Sequence, residues 1–205
     1  DDTITVINDA GTIKIDANGT IIDTALAAAS VTRVVISGLG GNDTLALDNS
    51  LGANLPGTLL GGADNDILIG GLSHDILEGG AGIDALNGGA GNDVYVFDTD
   101  TQLDSDSITD SVGVDELSFV DSTIDVAVSL ALTTAQSVNT NLTLTLASAT
   151  AIENITGGAG NDTLTGNTLR NALSGQGGND SLDGGSGDDN YVFDTDTPLG
   201  SDSIA

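Results

Sequence analysis

Four consecutive nonapeptides starting at Gly61 read GGADNDILI, GGLSHDILE, GGAGIDALN and GGAGNDVYV, so an aspartate returns every nine residues at Asp66, Asp75, Asp84 and Asp93. A second block starting at Gly157 reads GGAGNDTLT, GNTLRNALS, GQGGNDSLD and GGSGDDNYV, with Asp162, Asn171, Asp180 and Asp189 in the equivalent place. The blocks are offset by 96 residues, and the correspondence continues into the tails, YVFDTDTQLDSDSI at 95–108 against YVFDTDTPLGSDSI at 191–204. Residues 61–108 and 157–204 are one duplicated unit. A short fixed period of this kind specifies stacked units, each covering its neighbour's apolar face.

Glycines at the first, second and fourth places of the nonapeptide permit positive φ, where carbonyl oxygens can turn inward without a Cβ clash. The aspartate at the sixth place adds a carboxylate. The last three residues form a short strand whose middle side chain points one way and its neighbours the other. Leu68, Leu77, Leu86 and Tyr95, then Leu164, Leu173, Leu182 and Tyr191, hold that middle place and are expected to stack as the core. Each nonapeptide is then half a coil, and two make one right-handed coil of about 18 residues with parallel sheets on two faces.

The charge balance narrows the partners. The chain of 205 residues carries 31 acids against three Lys plus Arg, a net charge of −28. Such a surface repels phosphate backbones and anionic lipids, so neither nucleic acid nor a membrane is expected as a partner, and cations are. The acids are nearly all Asp, with only Glu78, Glu116 and Glu153 as Glu, which favours turns over helices. With no Cys and one His, thiolate and imidazole metal sites are disfavoured, whereas clustered carboxylates and carbonyls are the ligand type of a hard cation such as calcium. No apolar run is long enough to insert in a bilayer.

The repeat G-G-x-G-x-D-x-U-x resembles the RTX, or hemolysin-type calcium-binding, family and its parallel β-roll. The resemblance is strong over about half the chain, the two blocks with their tails, and looser elsewhere. It implies several calcium ions held between turns one full coil apart on the same edge. Asp66 and Asp84 would then share one edge, extended by Asp43 in GLGGNDTLA, and Asp75 and Asp93 the other; Asp162 and Asp180 would pair in the second block. Asp189 faces Asn171, where the pattern departs: the amide replaces the acid and GNTLRN lacks both later glycines. Turn residues implied as further donors are Gly61, Asp64, Gly70, Gly79, Gly82, Gly88, Gly91, Gly157, Gly160, Gly175 and Gly178, with Asp106 and Asp202 completing the last site of each tail.

The fold expected is therefore all-β, a right-handed parallel β-roll or β-solenoid, in four stretches. Residues 1–36 alternate apolar and polar residues around NDAG and DANG turns and read as antiparallel hairpins. Residues 37–112 form the first roll block with its closing coil, 113–156 an intervening segment with the alternating runs DVAVSLAL and NLTLTLAS, and 157–205 the second block.

Several features carry a plainer meaning. Aspartates cap turns widely, but the first block keeps the acid in all four repeats, among glycines spaced to match. His74, at the fifth place, reads as an exposed turn residue, and DTDTQLD at 98–104 fails as an EF-hand because Leu103 stands where glycine is required. H-E-x-x-H, G-x-S-x-G and Walker loops are absent, so no enzyme activity is expected. The resemblance implies a module of a larger secreted or cell-surface protein, exported by type I secretion with a signal beyond Ala205, that folds on meeting calcium outside the cell. Two alternatives stand beside it: the non-catalytic part of a secreted metalloprotease, lipase or epimerase, or a repeat unit of a surface-layer or adhesin protein.

Overall fold

In a computed structural model, described for residues 1–110, 112–193 and 200–205, the chain winds into a parallel β-solenoid with almost no helix. Part of the duplicated tail, residues 194–199, lies outside the described residues. One wall is an eight-stranded, all-parallel sheet running through both repeat blocks. Its order is Val34–Gly40, Gly57–Ala63, Ile76–Ala81, Val94–Val96, Glu116–Ser118, Asn154–Thr156, Ala172–Ser174 and Asn190–Val192. The other wall is divided. Thr44–Leu47, Ile67–Gly71, Ala85–Gly89, Asp104–Ile108 and Leu142–Leu146 stack in parallel within a nine-stranded sheet, and Ala127–Ser129, Thr163–Thr165, Ser181–Asp183 and Ser203–Ile204 form a four-stranded one.

The middle residue of each short strand points inward. Leu68, Leu77, Leu86, Tyr95, Leu164, Leu173 and Leu182 are all at most 1% exposed, while Tyr191 is partly buried against the same cluster. The register stacks like on like, Leu59 on Leu77 on Tyr95 on Leu117 in one wall, and Leu45 on Leu68 on Leu86 on Ile108 in the other. Each such leucine contributes roughly 1.5–3 kcal/mol of burial. Aliphatic residues suit this interior because strands a coil apart repeat the same small cross-section.

The amino-terminal segment caps the stack. Thr3–Asp9, Thr12–Ala17 and Thr20–Ala27 pair antiparallel, and the first of them lies parallel to Thr44–Leu47, continuing the nine-stranded sheet to its edge. The alternating run ending at Ile36 divides: Val34–Gly40 belongs to the parallel wall, paired with Gly57–Ala63. Within 113–156, Leu142–Leu146 returns to lie parallel to Asp104–Ile108, with Gln136–Ser137 antiparallel beside it. The sequence ALAAAS at 25–30 divides between the end of Thr20–Ala27 and the 3-10 turn Ala28–Ser30.

The glycines, which permit positive φ at the first, second and fourth places, divide in how they use it. Gly82, at a fourth place, has φ +139°, but Gly61, at a first place, is not in that region. Gly61 is required by close approach: a Cβ there would lie 2.4 Å from Asp66 Oδ2 and 2.5 Å from the carbonyl oxygen of Gly79 in the next coil.

Candidate metal centres

Each sixth-place aspartate immediately precedes its strand, so winding the coil places successive carboxylates above one another. Along the edge leading into the nine-stranded sheet, Oδ1 of Asp66 accepts the N–H of Asp43 at 2.8 Å, Asp84 that of Asp66 at 2.8 Å, and Asp106 that of Asp84 at 2.9 Å. At the head of this ladder Asp43 accepts the N–H of Asp2 at 2.6 Å. The opposite edge repeats the arrangement. Asp75 accepts from Gly57 at 2.6 Å, Asp93 from Asp75 at 2.8 Å, and Asp115 from Asp93 at 2.8 Å; Glu153 then accepts from Asp115 at 2.9 Å through Oε2.

A third ladder serves the four-stranded sheet. Asp162 accepts from Val126 at 2.9 Å, Asp180 from Asp162 at 2.8 Å, and Asp202 from Asp180 at 3.1 Å. These bonds reach to the preceding coil, which an Asx turn does not do.

Only one oxygen of most of these carboxylates is used. Oδ2 of Asp43, Asp66, Asp75, Asp84, Asp93, Asp106 and Asp180 is buried with no protein partner, and each of these residues is at most 2% exposed. Asp162 differs, since its Oδ2 accepts the N–H of Gly158 at 2.8 Å. Burial drives the pKa of eight ladder acids upward, against the lowering effect of the backbone donors. It carries Asp84, Asp93 and Asp162 to about 6, Asp75 and Asp115 to about 7, and Asp106 to about 8; Asp66 and Asp180 shift in the same direction. Neighbouring ladder acids add repulsion. Among the described residues the ion pair is Lys14 with Asp9 on the surface, so no protein cation neutralises the ladders.

The donor set fits a hard cation. Convergence of Asp66 Oδ2 and the Gly79 carbonyl on Gly61 recurs at Gly70 with Asp75 Oδ2 and the Gly88 carbonyl, and at Gly157 with Asp162 Oδ2 and the Gly175 carbonyl. Carboxylate and carbonyl oxygens brought together from adjacent coils, with Oδ2 of Asp66 and Asp75 lacking a protein donor, are the ligand type calcium takes. Gly79, Gly88 and Gly175 also pack against the carboxylates of Asp84, Asp93 and Asp180. Gly91 and Gly178 are at positive φ, as is Asp64 at +75°, the one acid in a fourth place of the first block. Gly160 is not, and packs against the backbone of Asp125.

Asn171 resolves its position by self-sufficiency. Its N–H donates to Asp189 Oδ1 at 2.9 Å, its Nδ2 donates to the Glu153 carbonyl at 2.8 Å, and its Oδ1 accepts from Asn167 at 2.9 Å. The amide thus supplies the donor that a cation would otherwise replace. His74 is exposed, and its Nδ1 accepts the N–H of Asn92 at 2.9 Å, the part that Asn42 and Asn65 play on the opposite edge.

Sequence reasoning missed Asp110, Asp115 and Glu153. Asp115 lies in V-G-V-D-E-L, a fourth-place glycine and a sixth-place acid, but 22 residues after Asp93 instead of 18, so it falls out of the nine-residue count. Asp93, Asp110 and Asp115 form a buried group in which one oxygen of each lies within 4.8 Å of the others.

A four-copy family model of the RTX calcium-binding nonapeptide repeat matches residues 73–100, 150–168 and 165–196. No curated protein matches the chain.

Proposed function

We propose that this chain, which carries RTX calcium-binding nonapeptide repeats between residues 73 and 196, is a calcium-dependent folding module of a larger secreted or cell-surface protein. The observation that carries this reading is the set of seven buried Oδ2 atoms without a protein partner among the described residues. An unpaired buried carboxylate opposes folding, and an unoccupied ladder of them opposes it repeatedly. Asp43, Asp66, Asp84 and Asp106 would hold ions along one edge, Asp75 and Asp93 along the other, and Asp162, Asp180 and Asp202 along the third; Asp189, half-buried beside Asn171, is the weakest donor.

Calcium supplies positive charge to these oxygens, which turns an opposing interaction into a cohesive one. Each site at a hundredfold excess over its Kd stabilises the fold by about 2.7 kcal/mol, so a few sites exceed the usual stability of a small domain. Where calcium is scarce, the −28 charge keeps the chain expanded and suited to export; where it is abundant, the chain condenses. Far-UV circular dichroism tests this. Little β-structure in chelator and a cooperative gain on adding millimolar calcium support the reading; an unchanged spectrum overturns it.

The duplication favours one setting among secreted proteins. The parallel wall continues from the first block to the second without interruption, so units of 96 residues can be joined end to end, as in a surface array. A further hairpin-plus-nonapeptide unit after Ala205 supports that setting, and a catalytic motif before Asp1 supports a module carried by an enzyme.

A further inference from the structure

The coil that follows the first block departs from the repeat at one chemically important place. Val94 pairs with Glu116, and Ala90 bridges Val112, so Asp93 overlies Asp115 and Gly88 corresponds to Asp110. An acid therefore stands where the repeat has its first glycine. That glycine is the residue that lies against the sixth-place carboxylate. Replacing it by Asp brings a third carboxylate to a gap that elsewhere in the ladders has two.

Asp93, Asp110 and Asp115 are 0%, 5% and 1% exposed, and the oxygens they offer lie within 4.8 Å of one another. Asp93 Oδ2 has no partner and lies against Gly88. Gly88 also anchors the group from the side: its N–H donates to the Tyr95 hydroxyl at 2.7 Å, and that hydroxyl donates to Asp110 Oδ2. Tyr95 thus fixes the orientation of Asp110, whose Oδ1 also accepts the N–H of Val112 at 3.3 Å. Glu153 borders the group through its bond to the Asp115 N–H.

We propose that Asp93, Asp110 and Asp115 form a three-carboxylate cation site that binds calcium more tightly than the two-carboxylate gaps and a trivalent lanthanide more tightly still. The inference rests on the calcium reading above. Ligand charge and rigidity set the affinity of oxygen sites for hard cations, and three fixed carboxylates exceed two. Placed between the blocks, this site fills first and fixes the coil on which the second block continues.

Terbium(III) reports on this site because Tyr95 can sensitise its luminescence at short range. In the full chain, excitation of tyrosine is expected to give emission that develops with the first equivalent of terbium. Asp110→Asn, and Asp110→Gly, which restores the repeat's own residue, should each raise the half-saturating concentration by at least about tenfold. Tyr191→Phe should leave this first-equivalent emission intact. Wild-type half-saturation in both Asp110 variants, or loss of the emission in Tyr191→Phe, overturns the proposal while calcium-dependent folding stands. Failure of the wild-type chain to bind terbium or calcium overturns both. Should neither Asp110 variant fold in calcium, Tyr95→Phe decides: persistence of first-equivalent emission would place the site elsewhere.

Discussion

The N–H of Asp66 donates to Oδ1 of Asp84, 18 residues later, at 2.8 Å, while Oδ2 of Asp84 is buried with no protein partner. One carboxylate thus has two separable duties. Oδ1 ties a coil to its neighbour in the folded chain, and Oδ2 acts only when a cation is present. Asp84→Asn keeps the acceptor and removes the charge. Calcium affinity should fall at least about tenfold, while metal-free stability near pH 4, where the chain folds without calcium, should be unchanged. Asp84→Ala removes both and leaves the Asp66 N–H unpaired, so stability in saturating calcium should fall by a further 1–3 kcal/mol or so. Calorimetric titration and urea unfolding of the two variants separate the duties.

Titration of the ladders gives a pH dependence with opposite signs in the two conditions. Burial raises Asp84, Asp93 and Asp162 to about 6, Asp75 to about 7 and Asp106 to about 8 in the folded chain, against about 3.9 when unfolded. The calcium-free folded chain binds more protons than the unfolded one. Its stability is therefore fully present below about pH 4 and is lost as the pH rises through 6 to 8. Calcium competes with those protons, so its affinity should rise over the same window. Melts in metal-free buffer should show a folding transition near pH 4 that weakens and is lost as the pH rises through 6 to 8, and melts in calcium should show Tm rising between pH 5 and pH 8. A parallel trend in both conditions contradicts the account.

Asn171 offers a gain-of-function variant. Asn171→Asp removes the donor to the Glu153 carbonyl and sets a carboxylate against that oxygen. At calcium concentrations too low to fill the new site the variant should lose about 1–3 kcal/mol of stability. In calcium it should recover most of that and bind an additional ion, which equilibrium dialysis would count.

Backbone geometry makes a prediction independent of charge. Gly82 has φ +139°, and a Cβ there would lie 2.1 Å from the Asp64 carbonyl oxygen. Gly82→Ala should cost about 1–3 kcal/mol or more both in saturating calcium and in metal-free buffer near pH 4, where the protonated chain folds, because the strain belongs to the turn itself. A loss confined to the calcium-bound state would assign the glycine to the ion instead.

Much of this was legible because the period is rigid. A nine-residue count places Leu68, Leu77 and Leu86 inward, and the family resemblance added to it puts Asp66 and Asp84 on a common edge. The count fails where the chain inserts residues. Asp93 to Asp115 spans 22 residues and Asp115 to Glu153 spans 38, so the acids continuing the Asp75 edge left the pattern although they kept their place in the ladder. Strand partners were illegible for a different reason. Alternation in Thr3–Asp9 marks a strand, but its parallel pairing with Thr44–Leu47 depends on which apolar edge remained uncovered. The return of Leu142–Leu146 to Asp104–Ile108 is of the same kind.

Crystals grown in calcium and measured at long wavelength test the central claim most directly, because anomalous scattering locates the ion itself. The account predicts peaks about 2.3–2.6 Å from Oδ2 of Asp66, Asp84, Asp75 and Asp93. Well-ordered electron density for those carboxylates with no anomalous peak beside them would contradict it.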